Sequence, residues 1–284
     1  MGTEKRERQK AGRQARLAAA QAEAAKKKRT RTAVIIGGVV VILVAATLAL
    51  GGLGGDDDGD DVATDGSTTT TALTSTTVGS FPEIPMPEPG ATIDGETPCP
   101  PADGSAERTT SFAQAPPDCL TEGATYQATI TTDRGDIVVD LDAEAAPTTV
   151  NNFVVLSRYH FYDGAAFHRI IPQFMIQGGD PIGPTPGTGG PGYTIADEFP
   201  AVGGEEGYPV GALAMAKKAE PNSTGSQFFI MATGSGGLPA EYNLFGSVVS
   251  GQEVVDEINA LGDAATNGTP TEIVTIESVT ITET

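Results

Sequence analysis

The sequence predicts a mainly β domain, a closed barrel or a sandwich with two helices at its open ends, behind a single transmembrane helix and a disordered stalk. Three observations carry this. About eight short segments rich in β-branched and aromatic residues recur after residue 124: TYQATITT, DIVVDL, FHRII, FMIQGG, VGALAMA, QFFIMA, LFGSVV and IVTIESVTIT. Two other segments have helical spacing: one after Pro147 places Val150, Phe153, Val154 and Ser157 on one face, and GQEVVDEINAL turns Val254, Val255, Ile258 and Leu261 inward. Finally, one uncharged apolar run divides a basic tail from an acidic remainder.

That division sets the domain plan. Eleven of the 17 Lys and Arg residues lie in residues 1–32 beside three Glu, so this tail carries +8 while the rest of the chain carries −28 of the net −20. Residues 33–50, AVIIGGVVVILVAATLAL, form 18 uncharged positions, about 27 Å as a helix, close to the hydrocarbon thickness of a bilayer. A cleaved signal peptide fits less well, because its basic region would be unusually long and no A-x-A site follows the run. The run Asp56, Asp57, Asp58, Asp60, Asp61 argues against a buried soluble helix. The positive-inside bias keeps the tail in the cytoplasm and puts the chain after about Gly51 outside it, anchored in the cell membrane by a single pass. Lys26 to Arg31 abuts the span, where a topology signal acts, and no nucleic-acid partner is expected.

Residues 51–98, rich in Gly, Asp, Thr and Pro, show neither strand nor helix periodicity and read as a disordered linker. As a flexible coil it would span roughly 40 Å. Cys99 and Cys119 both fall on the outer side, where a disulfide persists, so they are expected to pair and clip residues 99–123 into a lead-in. Two Cys without a nearby His do not make a tetrahedral metal site, and no metal is expected. The folded domain then occupies residues 124–284, enough for one core.

Several motifs are weaker than they look. GTGGPG at 187–192 lacks the G-K-[ST] ending of a phosphate loop and reads as a turn. Ser226 lacks the G-x-S-x-G context of a hydrolase nucleophile, and His160 and His168 are the only histidines. Residues 167–180, FHRIIPQFMIQGGD, read as strand, Pro turn and strand; alternation puts Phe174 and Ile176 on one side, Met175 and Gln177 on the other. On these residues alone Arg169 is equally well a surface charge.

This stretch closely resembles the cyclophilin signature F-H-R-[VI]-I-P-x-F-M-x-Q-G-G-D, and the resemblance continues in order through GTGG (187–190), GALAMA (211–216), GSQFFI (225–230), Leu238 and Phe245–Gly246. Ordered blocks across residues 124–284 are far more specific than one motif. The resemblance implies an eight-stranded antiparallel barrel closed by two helices, and peptidyl-prolyl cis-trans isomerase activity on proline-containing polypeptides without any cofactor. By position it implies that Arg169 is the catalytic arginine and that Phe174, Met175, Phe229 and Leu238 wall the proline pocket. Gln177 would bond the substrate and steady the arginine, Ala216 and the Lys217 backbone would bind the peptide main chain, and Gln227 would line the groove, with His168 a structural neighbour. The alternative is a proline-segment binding module or holdase without turnover, which intact Arg169 argues against.

Some positions depart from the family's best-known pattern. Gly237 stands where cytosolic eukaryotic members carry Trp before Leu238, Tyr242 replaces a rim His, and Lys217 stands where Asn is common in a loop one residue longer than usual. Weak cyclosporin binding at most is therefore expected: losing the indole N–H and its flat apolar face costs about 1–3 kcal/mol, or roughly ten- to a hundredfold in affinity. Titration checks this, and affinity equal to that of a Trp-containing cyclophilin would contradict it.

Overall fold

The computed structural model describes residues 82–183, 185–199, 207–234 and 238–284. The basic tail, the apolar run 33–50, the linker up to residue 81 and Gly237 lie outside the described residues. Among the described residues no helix is long and apolar enough to cross a membrane.

All eight expected strands form, in one antiparallel sheet. They are β3 (Tyr126–Thr132), β4 (Gly135–Leu141), β5 (Arg169–Ile171), β6 (Met175–Gly178), β7 (Ala212–Met215), β8 (Phe228–Met231), β9 (Leu244–Ser250) and β10 (Ile276–Glu283). Their spatial order is β10-β3-β4-β9-β7-β8-β6-β5. Both expected helices form as well, α1 at Pro147–Arg158 and α2 at Gln252–Asn259.

The expectation of a closed barrel is corrected. The edge strands β5 and β10 share no ladder, so the sheet is a curled half-barrel. The outward edge of β5 is already occupied, since the Ile170 N–H donates to the Gly268 carbonyl at 2.7 Å in a turn following α2. The gap is spanned just before β5, where Phe167 N–H donates to the Val274 carbonyl and Ile276 N–H to that of Ala165.

The inner face of the curl is packed around α1. Phe153 meets Tyr162, Phe228 and Phe245 with ring centroids 5.2, 5.7 and 5.2 Å away, in tilted or edge-on arrangements that suit aromatic quadrupoles. Pro147 starts α1 where a missing N–H costs nothing, but Ala146 at the N-cap offers no side-chain acceptor. Glu198 supplies it from a distant loop, accepting from the Thr148 and Thr149 backbone N–H groups at 2.9 and 2.8 Å. A carboxylate at this end also complements the helix dipole.

Composition misplaces the end of the disordered stalk. Within residues 91–98, read as linker, β1 (Ala91–Ile93) pairs in parallel with β2 (Thr109–Phe112). The pairing is held because Gly90 N–H donates to Thr110 Oγ1 and Ala91 N–H to the Arg108 carbonyl, while Phe112 is buried against Tyr159. The expected bridge joins Cys99 to Cys119, and closing a loop of that length contributes about 3 kcal/mol in the chain-entropy account. Asn151 of α1 then fastens the bridged segment, accepting from Cys119 N–H at 2.9 Å and donating to the Pro117 carbonyl at 2.8 Å.

The inward face of α2 differs from its apolar reading at one residue. Val255 and Ile258 are buried as expected, Val254 and Leu261 only partly, and Asn259 is buried with them. Its amide donates to the Ile171 and Met175 carbonyls and accepts from Gln173 N–H at 2.8 Å, so one side chain satisfies three backbone groups of the β5–β6 turn. Asn259→Ala removes all three bonds and leaves the Gln173 N–H without its acceptor, and is expected to cost about 1–3 kcal/mol. Urea denaturation checks this; an unchanged midpoint would contradict it.

Candidate active site

The site is built on the outer face of the strand run β5, β6, β8 and β7. Cross-strand register places Arg169 opposite Gln177, Gln177 opposite Phe229, and Phe229 opposite Ala214. Side chains alternate along each strand, so Ile170, Ile176, Phe228, Ile230 and Leu213 point into the main core. Met175, Phe229, Met231, Ala212 and Ala214 form a second apolar cluster on the other face, joined by Tyr208.

That cluster floors a cleft of about 190 Å³ lined by Arg169, Phe174, Met175, Gln177, Ala216, Lys217, Phe229, Leu238 and Tyr242. Nine of the ten substrate-site positions inferred from the resemblance thus converge. The tenth, Gln227, lies in the adjoining cleft, and Gln177, Ala216 and Lys217 line both. Phe174 departs from the alternation read in the sequence, because it precedes β6 in a turn. Gln173 there has φ 57, and Phe174 N–H donates to the Ile171 carbonyl, which brings Phe174 to the same cleft as Met175.

Arg169 is half-buried and held by neutral acceptors. Its Nη1 donates to Gln177 Oε1 and its Nε to the Asn267 carbonyl, both at 3.4 Å. Gln177 Nε2 donates to Gln227 Oε1 at 3.1 Å, and Gln227 Nε2 donates to the Gly187 and Gly189 carbonyls at 2.9 and 3.0 Å. The guanidinium is thereby connected to the glycine-rich turn through two amides, and among the described residues no carboxylate pairs with it. His168 packs beneath that turn, where a Cβ at Gly187 would lie 2.9 Å from its Nε2. Burial lowers the His168 pKa, with the Asp180 charge opposing, which favours a neutral ring.

Three supports escaped sequence reading. Asn267 offers its carbonyl because its φ of 59 turns the chain toward Arg169; the Asn-Gly pair at 267–268 marks a turn, but nothing in sequence marks its neighbour. Tyr208 donates to the Tyr242 carbonyl at 2.8 Å and accepts from Tyr242 N–H at 3.0 Å, fixing that wall. Asp197 pairs with Lys217 at 3.2 Å and accepts from Asn222 N–H at 3.0 Å, tying the rim loop down.

An arginine beside an apolar cleft of side-chain size, backed by amides, suits polarisation of a bound neutral group. Among the described residues no group of three or more His, Cys, Asp or Glu is placed to hold a metal. The family model described as cyclophilin type peptidyl-prolyl cis-trans isomerase/CLD matches residues 127–281. This chain belongs to the cyclophilin family. It is 44% identical over 172 residues to peptidyl-prolyl cis-trans isomerase B of Streptomyces anulatus, covering 54% of this chain and 95% of that one. It is 45% identical over 178 residues to peptidyl-prolyl cis-trans isomerase A of Mycobacterium tuberculosis, covering 56% and 93%. A crystal structure of a Cryptosporidium parvum cyclophilin matches with a TM-score of 0.50 at 32% identity, over 56% of this chain and 98% of that one. The same protein has been crystallised in the presence of the dipeptide Ala-Pro. The activity of this cyclophilin is peptidyl-prolyl cis-trans isomerisation.

Proposed function

We propose that this cyclophilin isomerises X-Pro bonds of exported or cell-envelope proteins, with Arg169 as the catalytic residue, from a membrane anchor at residues 33–50. The observation that carries the mechanism is the placement of Arg169, bonded to Gln177 and Asn267, at the edge of a cleft walled by Phe174, Met175, Phe229 and Leu238. The Ala-Pro dipeptide of the Cryptosporidium parvum crystal is the kind of group this cleft would take.

An X-Pro amide rotates slowly because resonance sets a barrier of about 18–20 kcal/mol. Twisting removes that resonance, and the proline nitrogen gains a lone pair able to accept a hydrogen bond. The Arg169 guanidinium supplies a permanently charged donor, strengthened where apolar walls exclude water. Because the bond is stronger to the twisted amide than to the planar one, it accelerates rotation. Ala216 and the Lys217 backbone hold the peptide main chain, and Gln177 and Gln227 keep the guanidinium aimed.

The location rests on three features: the +8 tail against the apolar run, the acidic stretch beyond it, and the Cys99–Cys119 bridge, a bond that persists in oxidising compartments. External protease on intact cells is expected to digest residues 51–284 and spare the tail; the reverse pattern would refute this topology.

Arg169→Ala is expected to lower kcat by about ten- to 150-fold, the worth of one charge-assisted bond, with a smaller change in peptide affinity. Phe229→Ala should impair binding and turnover together. Exchange rates on an X-Pro peptide, with circular dichroism and a peptide titration, check both. Near-full activity in Arg169→Ala would refute the assignment.

A further inference from the structure

We propose that the proline-rich end of the linker, residues 82–86, is an internal ligand of the isomerase site: its prolines enter the cleft beside Arg169 of the same molecule and compete there with external substrate. This deepens the isomerase reading above and rests on it.

The sequence supplies the chemistry. Residues 81–90 read FPEIPMPEPG and hold four X-Pro bonds, Phe81–Pro82, Ile84–Pro85, Met86–Pro87 and Glu88–Pro89. A segment this rich in proline is extended before it binds, so it loses little conformational freedom on entering a groove. The family match begins only at residue 127, so the segment is an addition to the shared domain.

The structure divides the segment into a pinned half and an unpinned one. In the pinned half the Glu88 carbonyl accepts from Arg108 Nη1, and Gly90 N–H donates to Thr110 Oγ1 at 2.9 Å. Pro87 lies so close to Gly164 that a Cβ there would sit 2.9 Å from the Pro87 Cβ. Residues 82–86, by contrast, make no hydrogen bond to another described residue, although Pro82, Ile84 and Met86 are half-buried. Shifting them breaks no hydrogen bond among the described residues.

Their position directs them to the site. Residues 82–86 line a cavity of about 690 Å³ together with Pro186. Pro186 also lines a cavity of about 270 Å³ with His168, Arg169 and Gln177, and Arg169 and Gln177 line the proline pocket in turn. Pro186 is thus the wall shared by the unpinned segment and the groove that leads to the catalytic arginine. From the pinned Pro87, five residues of extended chain reach about 17 Å back to Pro82. A ligand tethered this closely is present at an effective concentration in the mM range, enough to fill a weak site part of the time.

The test uses the full chain in detergent with an external X-Pro peptide. In Pro82→Ala/Pro85→Ala the KM for that peptide is expected to fall about two- to fivefold with kcat unchanged, as when an internal competitor at about one to four times its own dissociation constant is removed. Pro89→Ala, in the pinned half, should leave KM as it is. A synthetic peptide of residues 81–90 added to the double variant should raise KM again as a competitive inhibitor. Exchange at the Phe81–Pro82 and Ile84–Pro85 bonds, followed by NMR on the full chain, should be faster at one of them than in Arg169→Ala, at a rate independent of protein concentration. An unchanged KM in the double variant, an equal fall in Pro89→Ala, or equal exchange of both bonds in Arg169→Ala would overturn the internal ligand. An exchange rate that rises with protein concentration would overturn it too, by assigning the contact to a second copy. Absence of exchange on the external peptide would instead overturn the isomerase reading, and this inference with it.

Discussion

The site depends on one geometric constraint, the period-two alternation of β5, β6, β8 and β7 in fixed register. With Arg169 opposite Gln177 and Gln177 opposite Phe229, the same ladder that sends Ile170, Ile176 and Phe228 into the core sends the functional side chains outward. A slip of one residue in any of these strands would exchange the two sets. Core packing therefore enforces the geometry of the cleft: burial of large aromatic and branched residues resists the slip far more strongly than the 3.4 Å contacts of Arg169 could.

Around that ladder, polar side chains from distant segments act as fasteners. Asn259 holds the turn that presents Phe174 and Met175, Tyr208 holds Tyr242, and Asn243 joins the Glu198 backbone N–H to the Thr149 hydroxyl at the start of α1. Each bonds backbone or hydroxyl groups of a segment distant in sequence, and buried polar groups are costly to leave unpaired. The walls of the cleft are consequently set by hydrogen bonds, while its floor is set by strand packing.

Electrostatics gives the cleft its character. Arg134, Arg158 and Lys217 are paired with carboxylates, but Arg169 faces amide and carbonyl oxygens. Its charge is held in place without being cancelled, which leaves it available to a reacting amide. Gln177 is suited to this because an amide can accept from the guanidinium and donate onward to Gln227, where a carboxylate would have neutralised the charge.

The eight strands, both helices, the cysteine pair and, through the resemblance of the ordered blocks from residue 167 to Gly246, the residues of the cleft can be read along the chain. These are legible because apolar periodicity and motif spacing are local properties of the chain. Tertiary structure alone decided that the sheet stays open between β5 and β10, that residues 91–93 are ordered, and that Phe174 leaves its alternation to join Met175. It alone brought Asn259, Tyr208, Asp197 and the Asn267 carbonyl to the site. These last contacts rest on hydrogen bonds between residues such as Arg169 and Asn267, 98 positions apart, and no local pattern records a partner that only folding brings near.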